Sequence, residues 1–159
     1  MTRSAAGSDA AAERPPVALA PMEPAHVPDV LALGHQVYDT SVKPYTSWSL
    51  SAIAGHMDAD ASACWVALDG GRLAGFVLGS MGFDQRADWG NLEWIASAPA
   101  HQGRGIASAL VRACCASLAE AGASAVVTDV ESRNTASAAL MRRNGFTESV
   151  TVTLFVRDV

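Results

Sequence analysis

A chain of 159 residues, 50% of them hydrophobic and carrying a formal charge of −5, suits one domain built around one core. No basic run marks a nucleic-acid partner, no apolar run reaches membrane-spanning length, and no charged start leads into an apolar core. A soluble, cytoplasmic protein with no nucleic-acid and no membrane partner is therefore expected.

Residues 1–14, rich in alanine and serine with scattered charges, read as a disordered leader, and residues 15–159 as a single domain. Val17 to Ala20 suits a first strand closed by Pro21. Val27, Val30, Leu31, Gly34, Val37 and Tyr38 fall at helical spacing. Asp39 to Trp48 reads as a loop, after which Ser49 can cap a short helix carrying Leu50, Ile53 and Met57 inward. Cys64 to Leu68 and Leu73 to Leu78 read as strands joined by Asp69-Gly70-Gly71, a hairpin turn. Gly82 to Trp89 reads as a polar loop. Cys64, Cys114 and Cys115 are an odd count without metal-ligand or disulfide spacing and are expected to fill the core. His26, His35 and His56 are scattered along helical segments, so no metal site is expected.

The most informative stretch runs from Asn91 to Ala121. Leu92 to Ala96 reads as a buried strand ended near Pro99, and Ile106, Ala109, Leu110, Ala113, Cys114, Leu118 and Ala121 form one helical stripe. Between them Gly103 and Gly105 stand where turn becomes helix. Glycine there permits positive φ and close approach of a ligand, and the free N–H groups of the first helical turn suit an anion, above all a phosphate. Arg104 adds a full charge. A Walker loop is excluded, since the sole lysine is the distant Lys43, and Ser108 stands where a dinucleotide fingerprint needs a glycine or alanine. Past Gly122, Ala125 to Val130 reads as a strand parallel to the one at Leu92, and Asn134 opens a last helix closed by Gly145. Phe146 to Val156 is β-prone.

Gln102, Gly105 and Ala107 with Arg104 between them, followed downstream by Asn134-Thr-Ala-Ser-Ala-Ala-Leu-Met-Arg-Arg-Asn-Gly-Phe146, resemble the two signatures of the GNAT superfamily of acyl-CoA-dependent N-acetyltransferases. The order of elements agrees: a mixed α/β sheet with splayed parallel strands four and five, flanked by about four helices. The chain ends about a strand early for that fold. Either its final strands are short or a neighbouring subunit, as in a homodimer, supplies part of the sheet edge.

The resemblance implies an enzyme that moves an acetyl group from acetyl-CoA to a primary amine by direct attack in a ternary complex. It places the pantetheine arm against Ile95, Ala96 and Ser97, and the pyrophosphate on the turn and helix start formed by Gln102, Gly103, Arg104, Gly105, Ile106, Ala107 and Ser108. Asn134 and Met141 join the cofactor contacts, Asn134 being also the natural cap of its helix. A backbone N–H near Ala96 is the expected oxyanion donor. The amine must lose a proton, and Glu93 and Asp129 are the candidate bases, with Glu131 a weaker third. Glu93 is expected to share side-chain parity with Ile95. The competing role is a structural ion pair for Glu93 and a surface or salt-bridged group for Asp129. Where the family commonly carries a tyrosine to protonate the leaving thiolate, this chain has Met141. That departure motivates an alternative, a non-catalytic acyl-CoA-binding or regulatory module. Tyr45, Trp48 and Trp89 are candidates to line the acceptor pocket, and His101 is expected to be solvated.

Overall fold

Strand and helix signals become a mixed α/β chain in the structure, a computed structural model that describes residues 16–159; the leader expected at 1–14 lies outside the described residues. Strand β1 (Ala18–Pro21) leads to helices α1 (Val27–Val37) and α2 (Leu50–Met57), then to strands β2 (Trp65–Asp69), β3 (Arg72–Phe83) and β4 (Arg86–Ser97). Helix α3 (Ile106–Glu120), strand β5 (Ala125–Val127) and helix α4 (Thr135–Arg143) follow. The five strands form one sheet in the order β1-β2-β3-β4-β5. The first four run antiparallel, and β5 joins β4 in parallel because α3 carries the chain back across the sheet. Among the described residues no helix is long and apolar enough to cross a membrane.

Side-chain alternation divides the core between the two faces of the sheet. Val77 and Leu92 meet Ile106, Leu110, Val111, Cys114 and Leu118 of α3 and Met141 of α4. On the opposite face Val66, Phe76, Leu78 and Ala96 meet Val30 and Leu33 of α1, Ile53 of α2, and Trp48. Complete burial of a leucine such as Leu110 contributes about 1.5–3 kcal/mol. Ser49 caps α2, its Oγ accepting from the Ala52 N–H at 3.3 Å, yet Leu50 lies outward, 57% exposed, and His56 is buried in its stead.

Three segments differ from expectation. The polar loop expected over Gly82 to Trp89 is largely strand, since Met81 pairs with Gly90 and Phe83 with Arg86 across a tight β3–β4 turn. Charged side chains at Arg86 and Asp88 hid this hairpin, because they pair with each other on a solvated face. Strand β5 stops at Val127, short of the expected Val130, because β4 turns away beyond Asn91 and leaves it no ladder partner. The strand expected over Phe146 to Val156 is absent. Phe146 packs against the α3 core, but from Val150 to Val156 the apolar side chains stand in solvent, from 55% exposure at Leu154 to 90% at Phe155. Strand propensity acts only through a neighbour to pair with, and three residues of β5 are a meagre template.

Candidate active site

The site begins with one extra residue in β4. Leu78 pairs with Trp94 and the next residue, Gly79, pairs with Leu92, so Glu93 is a β-bulge with no partner on β3. A bulge bends its strand and sharpens the twist. Pairing between β4 and β5 runs only from Trp89↔Ala125 to Asn91↔Val127 and ends just before it. From the bulge to Ser97, β4 therefore presents a main-chain edge that β5 does not cover. The bulge also breaks the expected parity: Ile95 packs with the α3 face, whereas Glu93 turns to α2 and contacts His56.

Four buried polar atoms among the described residues lack a hydrogen-bond partner: Trp94 Nε1, Ser97 Oγ, His101 Nδ1 and the Tyr38 hydroxyl. Two lie on this uncovered part of β4, His101 stands in the turn that follows it, and the Tyr38 ring packs 4.8 Å from the Trp94 ring. Trp94 belongs to the α1 and α2 face of the sheet, whereas Ser97 pairs with Gly75, whose own β-carbon would point at Ile106 and Leu110 of α3, so these atoms lie on both sides of β4.

Past Ser97 the chain makes a single helical turn, Pro99–His101, and enters the glycine turn. Gly103 and Gly105 have φ of 76° and 74°, and a β-carbon on either would meet nothing within 4 Å. Glycine is needed there for the left-handed backbone, while the space above stays open for a ligand. Gly105 caps α3, whose first residues Ile106, Ala107 and Ser108 carry the free N–H groups. Ile106 also anchors the turn in the core. Arg104 donates to Asp69 Oδ2 at 2.8 Å, and His101 Nε2 lies 3.0 Å from the same oxygen. His101 is thus held in a cluster, with a side chain 20% exposed, instead of being solvated as expected. The Arg104 hydrogen bond is the chief reason the Asp69 carboxyl titrates below its usual range, with His101 adding to it. Gln102 is exposed beside the turn.

On the other side of the bulge lies a cavity of about 430 Å³ lined by Tyr45, Thr46, Ser47, Ser51, His56, Ser80 and Glu93 among others. Glu93 Oε2 is 2.6 Å from His56 Nε2, and His56 Nδ1 is 2.9 Å from Ser80 Oγ. An ionised carboxylate only accepts, so the proton of this contact sits on Nε2, and Ser80 can donate its hydroxyl to Nδ1. His56 is buried, and Glu93 keeps 39% of its side chain exposed. The arrangement gives Glu93 a fixed orientation and an open path to the cavity. Nothing in the residue order pointed to Ser80, whereas His56, three positions after the inward Ile53 on α2, carried a signal of an inward-facing histidine.

Asp129 stands apart from this pair. It lies two residues past the end of β5, beyond the last β4–β5 pair at Asn91↔Val127. Lys43 donates to its Oδ2 at 2.6 Å, and 57% of its side chain is exposed. Arg133 holds the Glu131 carboxyl below the usual range and engages it on the surface. The aromatics divide. Tyr45 borders the cavity, but Trp48 is buried, its Nε1 donating to Leu31 O at 2.9 Å, and Trp89 lies at the far end of β4 beneath the Arg86 guanidinium. Trp48 and Trp89 do not line the cavity; Trp48 is drawn inward by stacking on Phe76. Asn134 caps α4, accepting from the Ser137 N–H at 3.1 Å, and Met141 is buried with α3 in the core.

The model of the acetyltransferase (GNAT) family matches residues 32–146. No curated protein matches the sequence. Among solved structures, the aminoglycoside N-acetyltransferase AAC(6')-Iy, bound to the bisubstrate analogue CoA-S-monomethyl-acetylneamine, superposes with a TM-score of 0.73 at 21% identity, covering 91% of this chain and 100% of that one. The aminoglycoside antibiotic 6'-N-acetyltransferase AAC(6')-IG from Acinetobacter haemolyticus gives 0.72 at 21% identity over 89% and 99% of the two chains. The ribosomal-protein-S18-alanine N-acetyltransferase from Escherichia coli gives 0.69 at 20% over 84% and 79%.

Proposed function

The chain belongs to the acetyltransferase (GNAT) family, and we propose that it transfers an acetyl group from acetyl-CoA to a primary amine by direct attack in a ternary complex. The observation that carries this reading is the uncovered edge of β4 beyond the Glu93 bulge, which leads through the single helical turn Pro99–His101 into the Gly103–Gly105 turn. The pantetheine arm lies along Ile95, Ala96 and Ser97, where Ser97 Oγ awaits a partner. The pyrophosphate rests on Gln102, Gly103, Arg104 and Gly105 and on the N–H groups at the start of α3, from Ile106 to Ser108. Asn134 and Met141 border the far side of the arm.

The amine enters through the polar cavity, with Tyr45 at its rim. Glu93 accepts the proton that the attacking nitrogen sheds, directly or through water, and His56 with Ser80 holds the carboxylate in place. Asp129 contributes negative charge past the end of β5 and attracts a cationic acceptor, its direct service as a base requiring Lys43 to move away. The thiol departs with an ordinary pKa of about 8.5, which makes it a competent leaving group. Hydroxyl-bearing and amide side chains around the cavity favour a small, polar, cationic amine; the aminoglycoside acetyltransferases named above act on amines of that class. Acetyl-CoA and such amines are met in the cytoplasm, where we place the protein.

Met141 favours one other reading, an acyl-CoA-binding module without turnover, because this buried thioether offers no proton to a leaving group. Calorimetric titration with acetyl-CoA, beside Gly105→Trp, tests the binding shared by both. Micromolar binding by the parent, lost in the variant, is the expected result. Binding that survives in Gly105→Trp contradicts the phosphate turn. Release of free thiol on addition of an amine then separates the enzyme from the module.

A homodimer belongs to the same proposal. Val150, Val152, Leu154 and Val156 alternate along an exposed segment that pairs with no strand among the described residues, and a second copy would cover them.

A further inference from the structure

Tyr38 is the C-cap of α1 and sits in an aromatic cluster with Trp48, Phe76 and Trp94, at ring separations of 5.1, 6.3 and 4.8 Å. Three rings against its own fix the direction of the side chain. Its hydroxyl oxygen is buried and completes no hydrogen bond. The main-chain amide of Ile95 is the polar group it approaches, and burial pushes the phenol well above its usual range, so it stays neutral and keeps its proton. Leaving a hydroxyl buried and unpaired costs stability, and a phenylalanine would fill the same space without that cost.

A hydroxyl held by three rings beside Ile95, with a proton and no acceptor, is a preorganised donor. Resting on the acetyl-CoA reading above, which lays the pantetheine arm along Ile95 to Ser97 and so brings its thioester to this strand, we propose that Tyr38 is a catalytic residue: its O–H donates a hydrogen bond to the thioester carbonyl oxygen as negative charge gathers there. The nitrogen–carbon bond forms, the carbonyl π pair moves onto oxygen, and Tyr38 with a nearby main-chain N–H stabilises it. The pair then returns, the carbon–sulfur bond breaks, and the sulfur leaves with the bonding electrons, taking a proton from water. Glu93 passes the amine's proton to solvent. Tyr38 donates throughout and never ionises. This assigns a role to the α1 end of the fold and supplies charge stabilisation that Met141 cannot.

The test is Tyr38→Phe, compared with the parent in three measurements: acetyl-CoA binding by calorimetry, kcat for thiol release with a turned-over amine, and Tm. The expected result is unchanged acetyl-CoA affinity, a Tm equal to or above the parent's, and a kcat lower by on the order of 10²-fold, the usual effect of removing one such donor. A slower enzyme that is no less stable is an outcome a packing role would not produce. An unchanged kcat overturns the proposal, and so does a kcat loss accompanied by lowered Tm and weakened acetyl-CoA binding. If the parent itself fails to bind acetyl-CoA, the underlying reading falls and the proposal with it; if the parent binds and turns over while Tyr38→Phe matches it, only the role of Tyr38 falls.

Discussion

At the scale of single residues, the phosphate turn depends on Asp69, which reaches from the β2–β3 hairpin to both Arg104 and His101. Its carboxyl is depressed chiefly by the Arg104 hydrogen bond. A depressed folded-state value means that the ionised form is favoured by folding, so the contribution to stability is present above the unfolded carboxyl pKa of about 3.9 and is lost as pH falls through the lower folded value. Asp69→Asn should therefore lower Tm at neutral pH, and the gap to the parent should close as both are acidified below the carboxylate range. Thermal denaturation at a series of pH values checks this; a gap that stays constant with pH means the pair contributes nothing electrostatic. Glu93, Gly103 and Gly105 were legible from residue type and spacing alone, because a carboxylate on the organising strand and glycines at a helix start have local causes. His56 showed only an inward direction, and Ser80 and Tyr38 showed nothing, since each acquires its role from a residue between 24 and 56 positions away.

At the scale of elements, α1 is held to the sheet through a close approach. A β-carbon at Gly34 would stand 2.0 Å from Trp48 Cε2, and Trp48 is buried against Phe76 and hydrogen-bonded to Leu31. Rigid aromatic packing leaves the indole no room to yield. Gly34→Ala should destabilise the protein by about 1–3 kcal/mol, the range for overpacked cores; a chemical-denaturation midpoint equal to the parent's would show that the interface gives way freely. Helices and the order of strands could be read from periodicity, since α3 needs only its own stripe. The bulge at Glu93 could not, because register is a property of two strands together. The same ignorance of partners made Phe146 to Val156 read as a strand and concealed the β3–β4 hairpin.

At the scale of the whole molecule, the sheet brings two unlike half-sites to one gap, the anion turn on the α3 side of β4 and the Glu93–His56 cavity on the α2 side. The exposed tail supplies a prediction of its own. Light scattering should find a dimer of the full chain, and removal of the residues after Glu148 should yield a monomer; a full chain that stays monomeric at all concentrations would leave the alternating apolar tail without its proposed partner. Acetyl transfer through the Glu93 cavity is the central claim, and the most direct measurement is the rate of thiol release from acetyl-CoA by Glu93→Gln, with calorimetry on the same preparation. Glutamine keeps the shape and cannot accept the proton. The account predicts parental acetyl-CoA affinity with a rate lower by on the order of 10²–10⁴-fold, the contribution of a general base. An undiminished rate in Glu93→Gln would contradict it.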